Sequence, residues 1–180
     1  MSGSESEPTV ETQVVFRGRI MNVRVDKVQL PSGRVTTREI AEHGNSVCIV
    51  PLDGQGNVVL VRQYRKPAND VLLEVPAGGI NHGEVSEETV LRELQEETGF
   101  TAGKLRHLSS FWVSPGWCTE YMHAYLATEL TPSKLEADDD ENITVVSLPL
   151  NHVPKLIASG EIQDAKSIAA LLLAMQVQGT

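Results

Sequence analysis

Three carboxylates set the chemistry open to this chain. Glu93, Glu96 and Glu97 stand at i, i+3 and i+4, which places them on one face wherever the segment is helical. Acids that close repel one another unless a cation sits among them. Oxygen-only donors select hard cations, so Mg²⁺ is the first choice and Mn²⁺ the second. An acidic run by itself is ordinarily a solvated face, but here Arg92 adjoins the acids and Glu84 precedes them. The loop Pro76-Ala77-Gly78-Gly79 also brings bare backbone toward them. A cation held in such a place suits hydrolysis of a phosphoanhydride: it neutralises the diphosphate, lowers the pKa of a bound water and aligns that water for in-line attack. A general base must then accept the proton.

Positioning these groups requires a helix and a strand. From Ser86 to Thr98 there is neither Gly nor Pro. Ser86 suits the N-cap, Glu87 and Glu88 suit the positive end of the dipole, and Gly99 suits the C′ position. Val90, Leu91 and Leu94 supply the apolar stripe. Upstream, VLLEVPAG at 71–78 reads as a strand running into the loop. The runs SVCIVPL and NVVLVRQYR around Asp53-Gly54-Gln55-Gly56 read as a hairpin. Downstream come KLRHLSSFWV, the loop SPGWCTE, a strand YMHAYLA, the acidic stretch EADDDE and a strand ITVVSL. Asn151 is expected to cap a short helix ending at Gly160. Asp164 is expected to cap a last helix with Ile168, Leu171, Leu172 and Met175 as its buried face. At the other end, residues 1–9 are rich in Ser and Glu and read as a disordered tail. Residues 10–43 alternate as a small antiparallel meander with a turn at Pro31-Ser32-Gly33, and 44–180 form the main domain. A meander of that size must pack on the main domain or on another subunit.

The composition fits one globular core, with 180 residues and 41% hydrophobic content. A formal charge of −9 argues against a grip on a nucleic-acid backbone, which needs clustered Lys and Arg. Cys48 lies in an apolar run and Cys118 in a loop, so no disulfide framework is implied. The histidines His43, His82, His107, His123 and His152 show no zinc-type spacing. The polar start MSGSESEPT carries no apolar signal region, and no stretch is long enough to span a membrane. A cytoplasmic location is expected.

Gly78, five residues, Glu84, seven residues, then Arg92-Glu93-Leu94-x-Glu96-Glu97-x-Gly99-Phe100 is the spacing of the Nudix box. From about Val14 to Leu173 the chain resembles a Nudix hydrolase of the ADP-ribose pyrophosphatase type. The resemblance implies an α/β fold, an α/β/α sandwich around a mixed sheet, with the N-terminal β meander exchanged across a homodimer. It implies metal ligation by Glu93, Glu97 and Glu96 with the carbonyl of Ala77, and orienting roles for Arg92 and Glu84. The general base comes from the acidic loop Asp138-Asp139-Asp140-Glu141. Glu141 is the first choice, with Asp139 in reserve and Asp140 and Glu120 open. Pro115 stands sixteen residues after Gly99, where this subgroup carries a proline. By the same correspondence Ser114, Gly116, Glu120 and Arg65 face the substrate, Arg38 reaches it from the partner subunit, and Arg19 and Ile20 flank the base. Tyr64 and Trp117 are further candidates for stacking. The implied reaction is Mg²⁺-dependent hydrolysis of ADP-ribose to AMP and ribose 5-phosphate. Other nucleoside diphosphate sugars or dinucleotides (a GDP-sugar, NADH, FAD) and a non-catalytic nucleotide sensor are the alternatives.

Overall fold

The structure is a computed structural model that describes residues 6–135 and 142–179. The chain forms two compact units. One comprises the chain up to Gly44 with Trp112–Tyr121, and the other comprises Asn45–Phe111 with Met122–Thr180.

The first unit is built on an antiparallel meander, β1 (Thr9–Arg17), β2 (Asn22–Gln29) and β3 (Val35–Glu42), in chain order. Gly33 closes the second turn with φ of 83°, a left-handed conformation that glycine adopts without a Cβ penalty. Thr9 is already in β1, and the Pro8 carbonyl accepts from the Gln29 amide at 3.0 Å, because pairing with β2 satisfies these backbone groups. Every residue of β1 is exposed. The SPGWCTE loop, expected to belong with the main domain, groups instead with the meander. The Ala41 amide donates to the Trp117 carbonyl at 2.7 Å, and the Thr119 amide donates to the Ala41 carbonyl at 3.0 Å.

The second unit contains β4 (Ser46–Pro51), β5 (Asn57–Arg65), β6 (Asp70–Glu74), β7 (Ala77–Gly79), α1 (Ser86–Thr98), β8 (Phe100–Trp112), β9 (Tyr121–Pro132), β10 (Ile143–Pro149), α2 (Val153–Ala158) and α3 (Ala165–Gln178). Its strands form a four-stranded mixed sheet in the order β7-β4-β9-β8 and a three-stranded sheet in the order β10-β5-β6. The expected β4–β5 hairpin is therefore not a ladder. The turn exists, with Asp53 accepting from the Gln55 and Asn57 amides at 2.8 Å each. After the single bridge Leu52↔Val58, however, the two strands part into different sheets. The reason is burial: all six residues of β4 are buried, so it serves as an inner strand between β7 and β9. Val47 and Ile49 pack with Val90 and Leu94 of α1, Tyr125 and Ala127. Alternation turns Cys48 and Val50 to the other face, and α3 also packs against β4.

Four local expectations are corrected. The 71–78 strand breaks after Glu74, since Pro76 has no N–H to donate. The Val75 amide goes to the Ser167 hydroxyl at 2.9 Å, and the Pro76 carbonyl accepts from the Ile49 amide at 2.9 Å. The N-cap of α1 is Val85, in extended backbone, and Glu88 reaches back to its amide at 3.2 Å. This frees the Ser86 hydroxyl to meet that of Tyr125 at 2.7 Å. Asn151 lies in a 3-10 turn, Leu150–His152, and does not cap α2. On α3, Asp164 caps as expected, but the buried face is Ser167, Ala170, Leu171 and Ala174, while Leu172 is exposed. Small residues turn inward there because the helix lies close on β4. No helix among the described residues is long and apolar enough to cross a membrane.

Candidate active site

The site residues of the second unit gather where α1 crosses the β7 end of the mixed sheet. Gly99, in the left-handed conformation with φ of 77°, ends α1, and its amide bonds back to the Gln95 carbonyl. One turn earlier, Glu93 and Glu97 are only 9% and 5% exposed, an unusual depth for carboxylates without strong partners. Glu93 fits because its neighbour is a glycine: a Cβ built on Gly78 would fall inside the Glu93 carboxylate. Glu97 accepts the Ala77 amide at 3.1 Å.

Arg92 ties the group together. Its Nε and Nη2 hold both oxygens of Glu84, at 3.0 and 3.2 Å, while Nη1 reaches Glu93 at 2.7 Å and Glu96 at 2.9 Å. Nη2 also donates to the Gly79 carbonyl at 3.1 Å. Bidentate geometry of this kind adds direction to charge. Burial works against the guanidinium charge, but the Glu84 bonds, the Glu93 charge and the bonds to Glu93 and Glu96 outweigh it and raise its pKa. Glu84 is further held by the Thr89 hydroxyl at 2.8 Å and by the amide and side chain of Asn81. The Arg92 bonds lead, and with those of Thr89 and Asn81 they outweigh the desolvation that works against the charge, bringing the carboxyl from an ordinary 4.5 down to about 2.

That shift gives a pH test with a definite sign. A carboxylate with a lower pKa when folded adds stability that is present above its unfolded pKa and is lost as the pH falls through the folded value. Thermal melts of Glu84→Gln and wild type, without added metal, should therefore differ at pH 7 and converge between pH 4.5 and about 2. A gap independent of pH would show that Glu84 does not act through its charge.

Donor chemistry and space suit a hard divalent cation. Glu93, Glu96 and Glu97 offer only oxygen, two of the three are buried, and the Gly78 cradle admits Glu93 at close range. Among the described residues, no three acidic, histidine or cysteine side chains stand ready-grouped as a ligand set. Arg92 draws Glu93 and Glu96 toward itself.

Arg65, at the end of β5, is locked to Glu74 by two bonds of 3.0 and 2.8 Å. Sequence reasoning passed over Glu74 as one polar position in an apolar strand. A lone acid in such a run is itself a signal, since at 1% exposure it needs cationic partners. It also passed over the Gly79 carbonyl, Asn81 and Thr89, which hold Arg92 and Glu84. Tyr64 donates its hydroxyl to Asn69 at 3.0 Å, with its ring half exposed. Glu141 and Asp138, Asp139 and Asp140 lie outside the described residues.

The first unit carries the other expected substrate residues, with Arg38 and Gly116 in one hollow, Arg19 and Ile20 in a second, and Ser114 and Glu120 lining neither. One, of about 380 Å³, is lined by Arg24, Arg38, Trp112, Gly116 and Trp117 among others. Arg38 is fixed there by two bonds to Glu7, at 2.9 and 2.7 Å. The second, of about 370 Å³, is lined by Arg19, Ile20, Asn22, Glu42 and His43 among others. Ser114 uses its carbonyl to close the loop, accepting from Trp117 at 3.2 Å and Cys118 at 2.9 Å. The Glu120 carbonyl accepts from the Val113 amide at 3.2 Å, and its carboxylate lies 4.0 Å from the His43 ring.

A NUDIX domain model matches residues 42–171 of this chain. The chain belongs to the Nudix family. The part of this Nudix protein before that match, residues 7–41, fits a nucleoside diphosphate sugar hydrolase N-terminal domain. The Nudix chain is 39% identical over 170 residues to an ADP-ribose pyrophosphatase of Bacillus subtilis (strain 168), covering 93% of this chain and 92% of that one. It is 36% identical over 167 residues to a methanol dehydrogenase activator of Bacillus methanolicus, covering 92% and 90%. A crystal structure of an ADP compounds hydrolase superposes with a TM-score of 0.87 at 27% identity, covering 96% of each chain.

Proposed function

We propose that this protein hydrolyses ADP-ribose, with Mg²⁺, to AMP and ribose 5-phosphate. The observation that carries the reading is the buried carboxylate face of α1, seated against Gly78 and organised by Arg92. The substrate rests on likeness to the ADP-ribose pyrophosphatase of Bacillus subtilis.

In this reading Glu93, Glu96, Glu97 and the Ala77 carbonyl hold Mg²⁺, for which Mn²⁺ can substitute. The bound cation supplies charge neutralisation and a more acidic water. The remaining steps belong to the chain's own groups. Arg92 and Glu84 orient the carboxylates, and Arg65 faces the phosphate end of the substrate. Glu141 takes the water's proton; Asp139, Asp140 and Glu120 are the alternatives. Water adds across the P–O–P link, with hydroxyl on one phosphorus and a proton on the departing phosphate. Arg38, Ser114 and Gly116 bind from the loop and meander, and Arg19 and Ile20 flank the base. Stacking of a base on a guanidinium is favourable.

We take the working form to be a cytoplasmic homodimer. β1 exposes Val10, Val14, Val15 and Phe16 along an open sheet edge, a surface that soluble proteins ordinarily cover. Both cysteines are free, as suits a reducing compartment.

The Bacillus methanolicus relative is named for activating another enzyme, so substrate range is the point to test. Turnover should be measured against ADP-ribose, a GDP-sugar, NADH and FAD with Mg²⁺ or Mn²⁺. The expected result is the highest kcat/KM for ADP-ribose, lost on chelation. Preference for another nucleotide moves the substrate, and no turnover at all supports a sensor. In the same assay, Glu141→Gln should lower kcat with KM kept; unchanged kcat moves the base to an alternative acid. A monomer by light scattering would remove the cross-subunit role of Arg38.

A further inference from the structure

Behind the carboxylate face, Glu74, Lys166, Asp164 and Ser167 form a chain of charged and polar groups that the proposed chemistry does not use. Glu74, 1% exposed at the end of β6, accepts both bonds from Arg65 and a third, short one from the Lys166 ammonium. Lys166 also donates to Asp164 at 2.7 Å. The same Asp164 oxygen accepts the Ser167 amide at 3.1 Å and its hydroxyl at 2.6 Å. The Ser167 hydroxyl in turn accepts the Val75 amide at 2.9 Å. Two residues further on, the Ala77 amide holds Glu97.

The helix itself has no use for this lysine. A cation in the first turn of α3 opposes the helix dipole, and the Asp164–Ser167 cap is complete without it. Burying ammonium and carboxylate together is costly unless the geometry is good, and here one ammonium bridges two carboxylates. Burial of Glu74 works against its charge, but Arg65 and Lys166 outweigh it and lower its pKa. The guanidinium of Arg65 also feels the charge of Glu97. The start of α3 thus grips Glu74 by its side chain and Val75 by its backbone, just before the residue that aims Glu97.

We infer that Lys166 is a positioning residue for hydrolysis: with Asp164 and Ser167 it fixes Glu74 and Val75, and through them the Arg65 guanidinium and the backbone that orients Glu97. The inference rests on the hydrolase reading above and names a device that this reading does not require.

The full-length protein with Lys166→Met, Lys166→Arg and Ser167→Ala tests it by kcat and KM for ADP-ribose, thermal melting, and Mn²⁺ affinity from the free-ion EPR signal without substrate. Groups that orient metal ligands typically matter by about 10- to 100-fold. Lys166→Met is expected to raise KM and lower kcat, each by about tenfold, and to weaken Mn²⁺ binding by about tenfold. Lys166→Arg should recover most of the loss. Kinetics and Mn²⁺ affinity within about twofold of wild type would overturn the inference, as would a loss that Lys166→Arg does not relieve. Should Lys166→Met not fold, Ser167→Ala decides by the same criteria, since it removes the Val75 partner without touching a charge. A wild-type protein that leaves ADP-ribose intact sinks the hydrolase reading alone; Mn²⁺ affinity then decides the positioning role, with an unchanged value overturning it.

Discussion

Glu97→Gln should lower Mg²⁺-dependent turnover of ADP-ribose by about 10³-fold while the protein still folds. The substitution keeps length and shape, and the amide oxygen can still accept from Ala77, now 3.1 Å from the carboxylate. What disappears is one negative charge on the face proposed to hold the cation, at a position only 5% exposed. Lewis-acid stabilisation by a bound metal is worth several kcal/mol, and each 1.36 kcal/mol is tenfold in rate, so about three decades follow. Losing a charge from a crowded acidic face is not itself destabilising, so the thermal midpoint without metal should hold or rise. Turnover within about tenfold of wild type would remove Glu97 from the ligand set. A parallel loss of folding would make its role structural.

Gly78→Ala is expected to be nearly as damaging to activity, for a steric reason. Gly78 does not have positive φ, so alanine meets no backbone penalty there. Its methyl group would instead occupy the volume of the Glu93 carboxylate, forcing Glu93 off the sheet and away from its 2.7 Å bond to Arg92. The group that must give way is the far end of a flexible side chain, so folding should change little, but a misplacement of about 1 Å in a catalytic group can cost about 10²-fold in rate. Gly79→Ala is the comparison, since nothing lies within 4 Å of a Cβ built there. Turnover should fall for Gly78→Ala and not for Gly79→Ala, with the thermal midpoint of both near that of wild type. Near-normal turnover for both would mean that the position of the Glu93 carboxylate does not matter to the reaction.

The length and face of α1 were legible because helix punctuation is local: no Gly or Pro inside, Gly99 after it, and acids at i, i+3 and i+4. The cap was misassigned because Val85 has no polar side chain to advertise it, and Glu88 acts from three residues on. Strand partnership was less legible. Two apolar runs around an Asp-Gly turn read as a hairpin, yet nothing local reveals that β4 is wanted by β7 and β9. The strand read through 71–78 overlooked the break that Pro76 imposes, and only the fold shows Val75 passing to Ser167. The carboxylates and Arg92 were found by spacing alone. The pair of Glu74 and Lys166 was not, since the two are distant in sequence and meet only when α3 packs.

The parallel pairing of β4 with β9, Ser46 opposite Met122 and Pro51 opposite Ala127, has a consequence for how the protein is made. α1 leaves the ribosome with its acids and arginine in place, but Tyr125 and Ala127 of the hydrophobic cluster it packs on arrive only with β9. Pairings so far apart in sequence are slow to form, because the loop must close before its contacts reward it. Chains released before β9 should hold the complete acidic motif and bind no metal tightly, and refolding of the full chain should show metal binding appearing late, together with protection of the β4 amides.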